Sequence, residues 1–361
     1  MPEHFIDQTD DRFMDKTRNV LEELPDYVSD FLNEKYVNGA KPSTIYGYAI
    51  DIKGFLNYFS VKMNTPVKDI SVDQLAAIRR REHVEYLAKL RSSGYSIQAR
   101  SRVQSAATGL YDYLINSGEY LIDSNILKSI PRTKLPRKST VDYFSDDDLT
   151  TIKKSLDKGE GLTKKKSEYY KEHSQRDNLV ITVLLTTGMR VSELVGINLE
   201  DFRRDYTEVE IIRKERTEQT IYLSEEARTA ILEYIDGERK QLLEKAKKEL
   251  PDLYQDCRSP LLLTVRGKYA GRISTVAIER LVKTHAANTD AKTKTPHSFR
   301  RTFGSNMLND ENFGDLGLTA ELLGHSNPST TLEFYSRTSQ DRRKNASEAI
   351  RFRKDEERNS K

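Results

Sequence analysis

The chain has 361 residues, 36% hydrophobic and 32% charged; that length exceeds one ordinary hydrophobic core, so two domains are expected. Lys and Arg number 59 against 56 Asp and Glu, for a net charge of +3, so any affinity for a polyanion has to come from local patches. The single cysteine, Cys257, excludes an intramolecular disulfide and a cysteine-built zinc site, the six histidines lack metal-ligand spacing, and no apolar run reaches the ~20 residues of a membrane span, so a cytoplasmic protein without a metal is expected.

Residues 1 to 22 are polar and acidic with little periodicity and read as a lightly packed leader. Helical spacing begins at 25–36 with Tyr27, Val28, Phe31 and Leu32. A second helix is expected after Ser43 as N-cap, with Ile45, Tyr48, Ala49, Ile52, Phe55, Leu56 and Phe59 on its apolar stripe. A third is expected over 72–90, and a fourth from Ile97 to the stop at Ser117-Gly118. Residues 23–130 thus read as a helical bundle. The next segment, 131–141, carries two prolines and the bases Arg132, Lys134, Arg137 and Lys138 with no acid among residues 131–140; it reads equally as a solvated linker or as an extended one that attracts phosphates.

The second domain, 142–361, opens with Ser145 capping a helix and Asp148 three residues on. Residues 158–177, polar and rich in lysine, are expected to be a surface excursion. Leu179 to Leu185 reads as a buried helix broken at Gly188. Residues 208–212 and 220–223 flank the charged turn RKERTEQ and read as a β-hairpin. A further strand is expected at 261–265, a helix from Ser274 through Val282, and another from Ser298. The charged C-terminal stretch carries one apolar stripe, Ala346, Ala349, Ile350 and Phe352. The fold class expected is mainly α with a small antiparallel β-sheet in the C-terminal domain.

Three segments place basic and histidine side chains where packing does not require them. Arg190 follows the glycine that breaks the buried helix; there it either pairs with Glu193 or faces a ligand, because an arginine buried alone is costly. His297 and Arg300 share a helical face. A phosphate would suit them, with the guanidinium donating two hydrogen bonds while the imidazole handles a proton, although the same spacing occurs on many ordinary helices. His325 follows Gly324, and Tyr335 lies beyond the Asn327-Pro328 turn; one tyrosine among 19 is otherwise packing. Two arginines, two histidines and a tyrosine, with no carboxylate pair, no Ser/His/Asp arrangement and no Gly-rich loop, form an inventory for attack on a phosphodiester by a phenol. Tyrosine, with an ordinary pKa of ~10, needs a positive pocket or a base for that, and arginines also stabilise a pentacoordinate transition state.

The ordered series Gly188-Met189-Arg190, Lys214 in the hairpin turn, His297-Ser298-Phe299-Arg300, Leu323-Gly324-His325 and Tyr335 resembles the motif of the tyrosine site-specific recombinases, the phage-integrase and Xer class. The similarity extends over roughly residues 24 to 345. The stretches YVSDFLNEKY, RDNLVITVLLTTGMRVSEL and LLLTVRGKYAGRIS look most like Xer-type recombinases that act alone in streptococci and lactococci. Departures are a turn without glycine, where Arg213 or Arg216 competes with Lys214 for the hairpin role, a His325-to-Tyr335 gap longer by one, and Phe299 in place of leucine.

The resemblance implies that 23–130 is a core-binding domain and 142–361 a catalytic domain. It further implies that Tyr335 attacks one DNA strand to give a 3′-phosphotyrosine and a free 5′-hydroxyl, without metal, ATP or cofactor. Arg190 and Arg300 then clamp the non-bridging oxygens, His297 acts as general acid/base, Lys214 protonates the leaving 5′-oxygen and His325 hydrogen-bonds the phosphate. DNA contacts are expected from Arg100, Arg102, the 79–81 arginines and the basic linker, each of which also reads as a solvated surface. A homo-tetramer on two double-stranded sites is implied, built by docking the C-terminal stripe on the neighbouring protomer and passing through a Holliday junction. The cellular role implied is chromosome dimer resolution at cell division, with a possible division-linked DNA translocase partner and a nucleoid-associated location. Integration or excision of a mobile element is the alternative, and a regulator without chemistry or a single-duplex topoisomerase are remoter ones.

Overall fold

Stripes of apolar residues at helical spacing, separated by capping serines and short polar breaks, fold most of this chain into helices. The computed structural model describes residues 5–118, 120, 122, 124–132, 143–213, 217–291, 293–310 and 314–324, with side chains from residue 9. The chain divides into two units between Arg137 and Lys138.

In the first unit, helix α1 (Phe5–Leu21) replaces the expected loose leader. It lies against α3 (Pro42–Met63), burying Thr17 and Val20 and setting the Phe13 ring 5.8 Å from that of Tyr46. Its apolar stripe is sparse because a threonine fills the middle position, its hydroxyl bonded to the Phe13 carbonyl at 2.8 Å. Helix α2 (Asp26–Val37) follows. Pro42 occupies the first turn of α3 and Lys41 the N-cap, so Ser43 is not the cap; a proline there has its φ preset for a helix and no N–H to lose.

The expected third helix is two. Helix α4 (Val72–Ala76) is closed by a reciprocal Ser71/Gln74 capping box, and α5 (Arg80–Ser92) starts anew because the Glu82 carboxylate takes the Arg79 N–H at 2.9 Å. Helix α6 (Ile97–Asn116), capped by Ser96, ends at Ser117 as its sequence indicates. The core centres on Phe55, Phe59, Tyr86 and Tyr111, with His83 fully buried and its ring parallel to Phe55 at 5.7 Å.

The second unit opens with α7 (Asp146–Lys158), whose Ser145/Asp148 box forms as expected. Residues 164–177, expected as surface excursion, instead begin α8 (Lys164–Thr187), a long helix kinked at His173. The inward face there is charged, with Arg176 and Asp177 buried and paired at 2.7 Å, so no apolar period marks it. Helix α8 stops at left-handed Gly188, and α9 (Val191–Gly196) follows.

Strands β1 (Phe202–Arg203), β2 (Glu208–Ile212) and β3 (Glu218–Tyr222) form an antiparallel sheet in that order. Helix α10 (Glu225–Tyr234) runs through a π turn at Ile235–Arg239 into α11 (Lys240–Glu249). A second antiparallel pair, β4 (Leu263–Arg266) and β5 (Tyr269–Arg272), precedes α12 (Thr275–His285), α13 (Pro296–Asn309) and α14 (Leu316–Leu323). The fold class is mainly α with small antiparallel sheets. Among the described residues no helix is long and apolar enough to cross a membrane.

Candidate active site

The site forms where the break after α8, the end of β2, the face of α13 and the end of α14 converge on two glycines. At Gly188 (φ +62) an added Cβ would stand 2.5 Å from the Phe303 ring and 3.1 Å from Leu323, so only glycine lets α13 and α14 approach this turn. At Gly324 (φ +58) the Cβ would meet Arg213 Nε at 2.7 Å.

Arg300 fills the space between them. It is almost wholly buried, donates from Nη1 to the Gly188 carbonyl at 2.8 Å and from Nη2 to the Leu323 carbonyl, and so ties the first motif segment to the last. Arg190, at the N-cap of α9, is paired with Glu193: its N–H donates to Oε2 at 2.7 Å and its Nη1 to Oε1 at 2.8 Å. Arg190 is thus paired with Glu193, as one of its two readings expects, and its side chain keeps 30% exposure while paired. Glu193 also accepts from Arg213 Nη1 at 2.8 Å and thereby holds two guanidinium groups.

His297 keeps exposed surface on α13, and partial desolvation of its ring, then the charges of Arg301, Arg300 and Arg190, push its pKa below the usual imidazole value. A neutral imidazole at neutral pH can accept a proton. Arg301, which no motif singles out, contributes to this positive field. Among the described residues, the site is a cluster of arginines with one proton acceptor, and such a cluster binds and polarises a phosphodiester.

Lys214, Arg216, His325 and Tyr335 lie outside the described residues, as do Lys134, Arg137, Lys138 and the stripe of Ala346, Ala349, Ile350 and Phe352. Arg213, the rival to Lys214, is 5% exposed, and each of its three nitrogens donates to a protein acceptor. In the first unit, Arg102 is bidentate to Asp51 at 2.7 and 2.9 Å, Arg100 is half-buried with an unpartnered Nε and Arg132 is exposed.

A Ser/His/Asp relay, which the motif segments lack, does occur in the core of the second unit. Ser155 Oγ lies 3.0 Å from His285 Nδ1, and His285 Nε2 lies 3.1 Å from Asp177 Oδ2. All three are buried, so no substrate reaches the hydroxyl and the relay is packing. Among the described residues no group of three or more His, Cys, Asp or Glu could hold a metal ion.

The sequence profile of the phage integrase family matches residues 156–342. Over 321 residues the chain is 29% identical to tyrosine recombinase XerC of Caldanaerobacter subterraneus subsp. tengcongensis, covering 85% of this chain and 82% of that one. Its fold resembles the XerH site-specific recombinase in a post-cleavage complex with palindromic difH substrate, at a TM-score of 0.59 and 18% identity over 96% of this chain and 97% of that one. It also resembles a lambda integrase tetramer bound to a Holliday junction, at a TM-score of 0.57 and 14% identity over 86% of this chain and 76% of that one. With the family profile spanning more than half of its length and carrying the converging arginines, the chain belongs to the phage integrase family of tyrosine recombinases, enzymes that cut and rejoin DNA.

Proposed function

We propose that this enzyme carries out site-specific recombination through a 3′-phosphotyrosyl intermediate on Tyr335 and serves chromosome dimer resolution at cell division. The observation that carries the chemical reading is Arg300, which ties Gly188, two residues before Arg190, to Leu323, two residues before His325. Tyr335 Oη bonds to phosphorus as the bond to the 5′-oxygen breaks. The phenolic proton goes to His297, the 5′-oxygen takes a proton from Lys214, and Arg190, Arg300 and His325 hold the non-bridging oxygens. The new ester conserves the phosphodiester, so a 5′-hydroxyl from the partner duplex reverses the step without an energy source.

Residues 23–130 act in this reading as the core-binding domain, 131–141 as a basic linker and 142–361 as the catalytic domain. Arg100, Arg102, Arg132, Lys134, Arg137 and Lys138 contact DNA, so affinity falls steeply with salt. Four protomers act on two double-stranded sites, as the similarity to a tetramer on a Holliday junction suggests. The enzyme works on the nucleoid, with a division-linked DNA translocase as partner. A second reading is a mobile-element integrase, since the fold is shared with lambda integrase and with the Tn1549 transposon integrase as well.

The test is to incubate the protein with nicked fragments of chromosomal DNA and recover DNA joined to it through a denaturant-resistant, protease-sensitive bond. The wild type forms the adduct, and Tyr335→Phe does not while still retarding DNA in a gel. Continued cleavage by the Phe variant would overturn the nucleophile. Sequencing the recovered DNA separates the two roles: one chromosomal site near the replication terminus supports dimer resolution, whereas the ends of an element support integration.

A further inference from the structure

The last three carbonyls of α14 are each taken by a side chain from another element. Glu321 O accepts from Gln219 Nε2 at 3.2 Å, Leu322 O from Arg213 Nη2 at 2.9 Å and Leu323 O from Arg300 Nη2. A helix C-terminus leaves its final carbonyls unpaired and carries partial negative charge, so two guanidinium groups and an amide are well matched to it. Two of the three donors come from the hairpin: Arg213 follows β2, and Gln219, in β3, also receives Arg213 Nε at 2.7 Å.

Arg213 is bound on its other side to Glu193, the residue that orients Arg190. Gly324 lies directly on this guanidinium, where a Cβ would be 2.7 Å from Nε and 2.9 Å from Cζ. One side chain thus occupies the joint of three segments: the start of α9, the hairpin and the end of α14. In sequence Lys214 is the residue after Arg213, and His325 the residue after Gly324.

We propose that Arg213 is a positioning residue that locks the end of β2 and the end of α14 in one register with Arg190, so that the residues next in sequence, Lys214 and His325, and the nucleophile Tyr335 are brought to the same phosphate. It is not a catalytic residue, because all three of its nitrogens serve protein acceptors. The inference rests on the recombinase reading for the roles of those three residues.

The test compares wild type, Arg213→Lys and Arg213→Gln on the duplex recovered by adduct trapping, measuring single-turnover adduct formation at saturating DNA, the DNA dissociation constant, and amide exchange in the DNA-free protein. Arg213→Gln slows adduct formation by about 10- to 100-fold, the cost of a small misplacement of reacting groups. Arg213→Lys keeps the charge without the three-way fork and recovers part of the rate, while the dissociation constant is unchanged. In the free protein Arg213→Gln also raises exchange in Leu316–Leu323 and leaves the first unit as it was.

Gly324→Ala slows cleavage in the wild-type background and slows it less in an Arg213→Ala background, because the clash is then gone. Wild-type cleavage by Arg213→Gln, a loss confined to DNA affinity, or strictly additive effects of the two substitutions would each overturn the positioning role and leave the recombinase reading standing. If the wild type formed no adduct, the recombinase reading would fail, and the role built on it with it. The exchange measurement would then still decide on the clamp, which unchanged protection of α14 would overturn.

Discussion

The two units of this protein are held together by different physics. The interior of the first is aromatic and aliphatic, with Phe31, Phe55, Phe59, Tyr86 and Tyr111 around few buried polar groups. The second buries Arg176, Asp177, Glu193, Arg213, Glu238, Arg239 and Arg300. Arg239 alone donates to the carbonyls of Pro260, Leu261, Cys257 and Arg258. Hydrophobic burial is non-directional, so the first unit fixes which helices touch more firmly than the angle of any one side chain. Charge-assisted hydrogen bonds have a defined direction, and a frame built of them fixes guanidinium groups to within tenths of an ångström. The site proposed to hold a phosphate between two arginines lies in the second kind of frame.

That contrast can be broken by substitution. Glu193→Ala strands both Arg190 and Arg213 and is expected to cost about 3–5 kcal/mol, as loss of one partner from a buried ion pair does; urea denaturation followed by amide exchange places the loss in the second unit.

Acid is the next largest effect and falls on the first unit. Burial pushes His83 down to about 4, and its Nδ1 has no hydrogen-bond partner. The unfolded chain takes up a proton near pH 6.5, before the folded one can. Stability is therefore complete above pH 6.5 and declines as pH falls toward 4, by about 3 kcal/mol at about 1.4 kcal/mol per pKa unit. Denaturation midpoints of the first unit at pH 7 and 4.5 measure this, and His83→Leu should flatten the dependence; an equal slope in that variant would assign the acid sensitivity elsewhere.

Arg102→Ala is expected to cost least, about 1 kcal/mol, because Arg102 is 60% exposed and its removal opens Asp51, 4% exposed while paired, to water. Should Arg102→Ala and Glu193→Ala cost the same in parallel urea titrations, the difference drawn between the two interiors would not hold.

Legibility in the sequence followed the same division. Helices α2, α3 and α6 are visible because Phe31, Phe55 and Leu110 belong to strict apolar stripes. The start of α8, residues 164–177, is not, since the only residues it buries are Arg176 and Asp177, which no hydrophobic period reports. Helix α1 is missed because Thr17 stands where an aliphatic residue would mark the stripe. The break between α4 and α5 is a side-chain capping event at Glu82, legible only once the geometry is known. At the site, Gly188, Arg190, His297 and Arg300 can be picked out by type and order. That Glu193 serves two arginines, and that Arg213 spans from it to the end of α14, cannot, because those partners are far apart in the chain.

The sequence by itself determined the helical character, the two-part organisation and the ordered set of basic residues, because these depend on local periodicity, caps and residue type. Only the tertiary structure decided which arginine is wholly taken up by protein partners and which keeps exposed surface. Arg190 keeps part of its surface, whereas Arg213 is enclosed and gives each of its three nitrogens to Gln219, Glu193 or the Leu322 carbonyl. A guanidinium has the same chemistry in either place, and burial with its hydrogen-bond partners, set by distant segments meeting at Gly188 and Gly324, assigns it one task or the other.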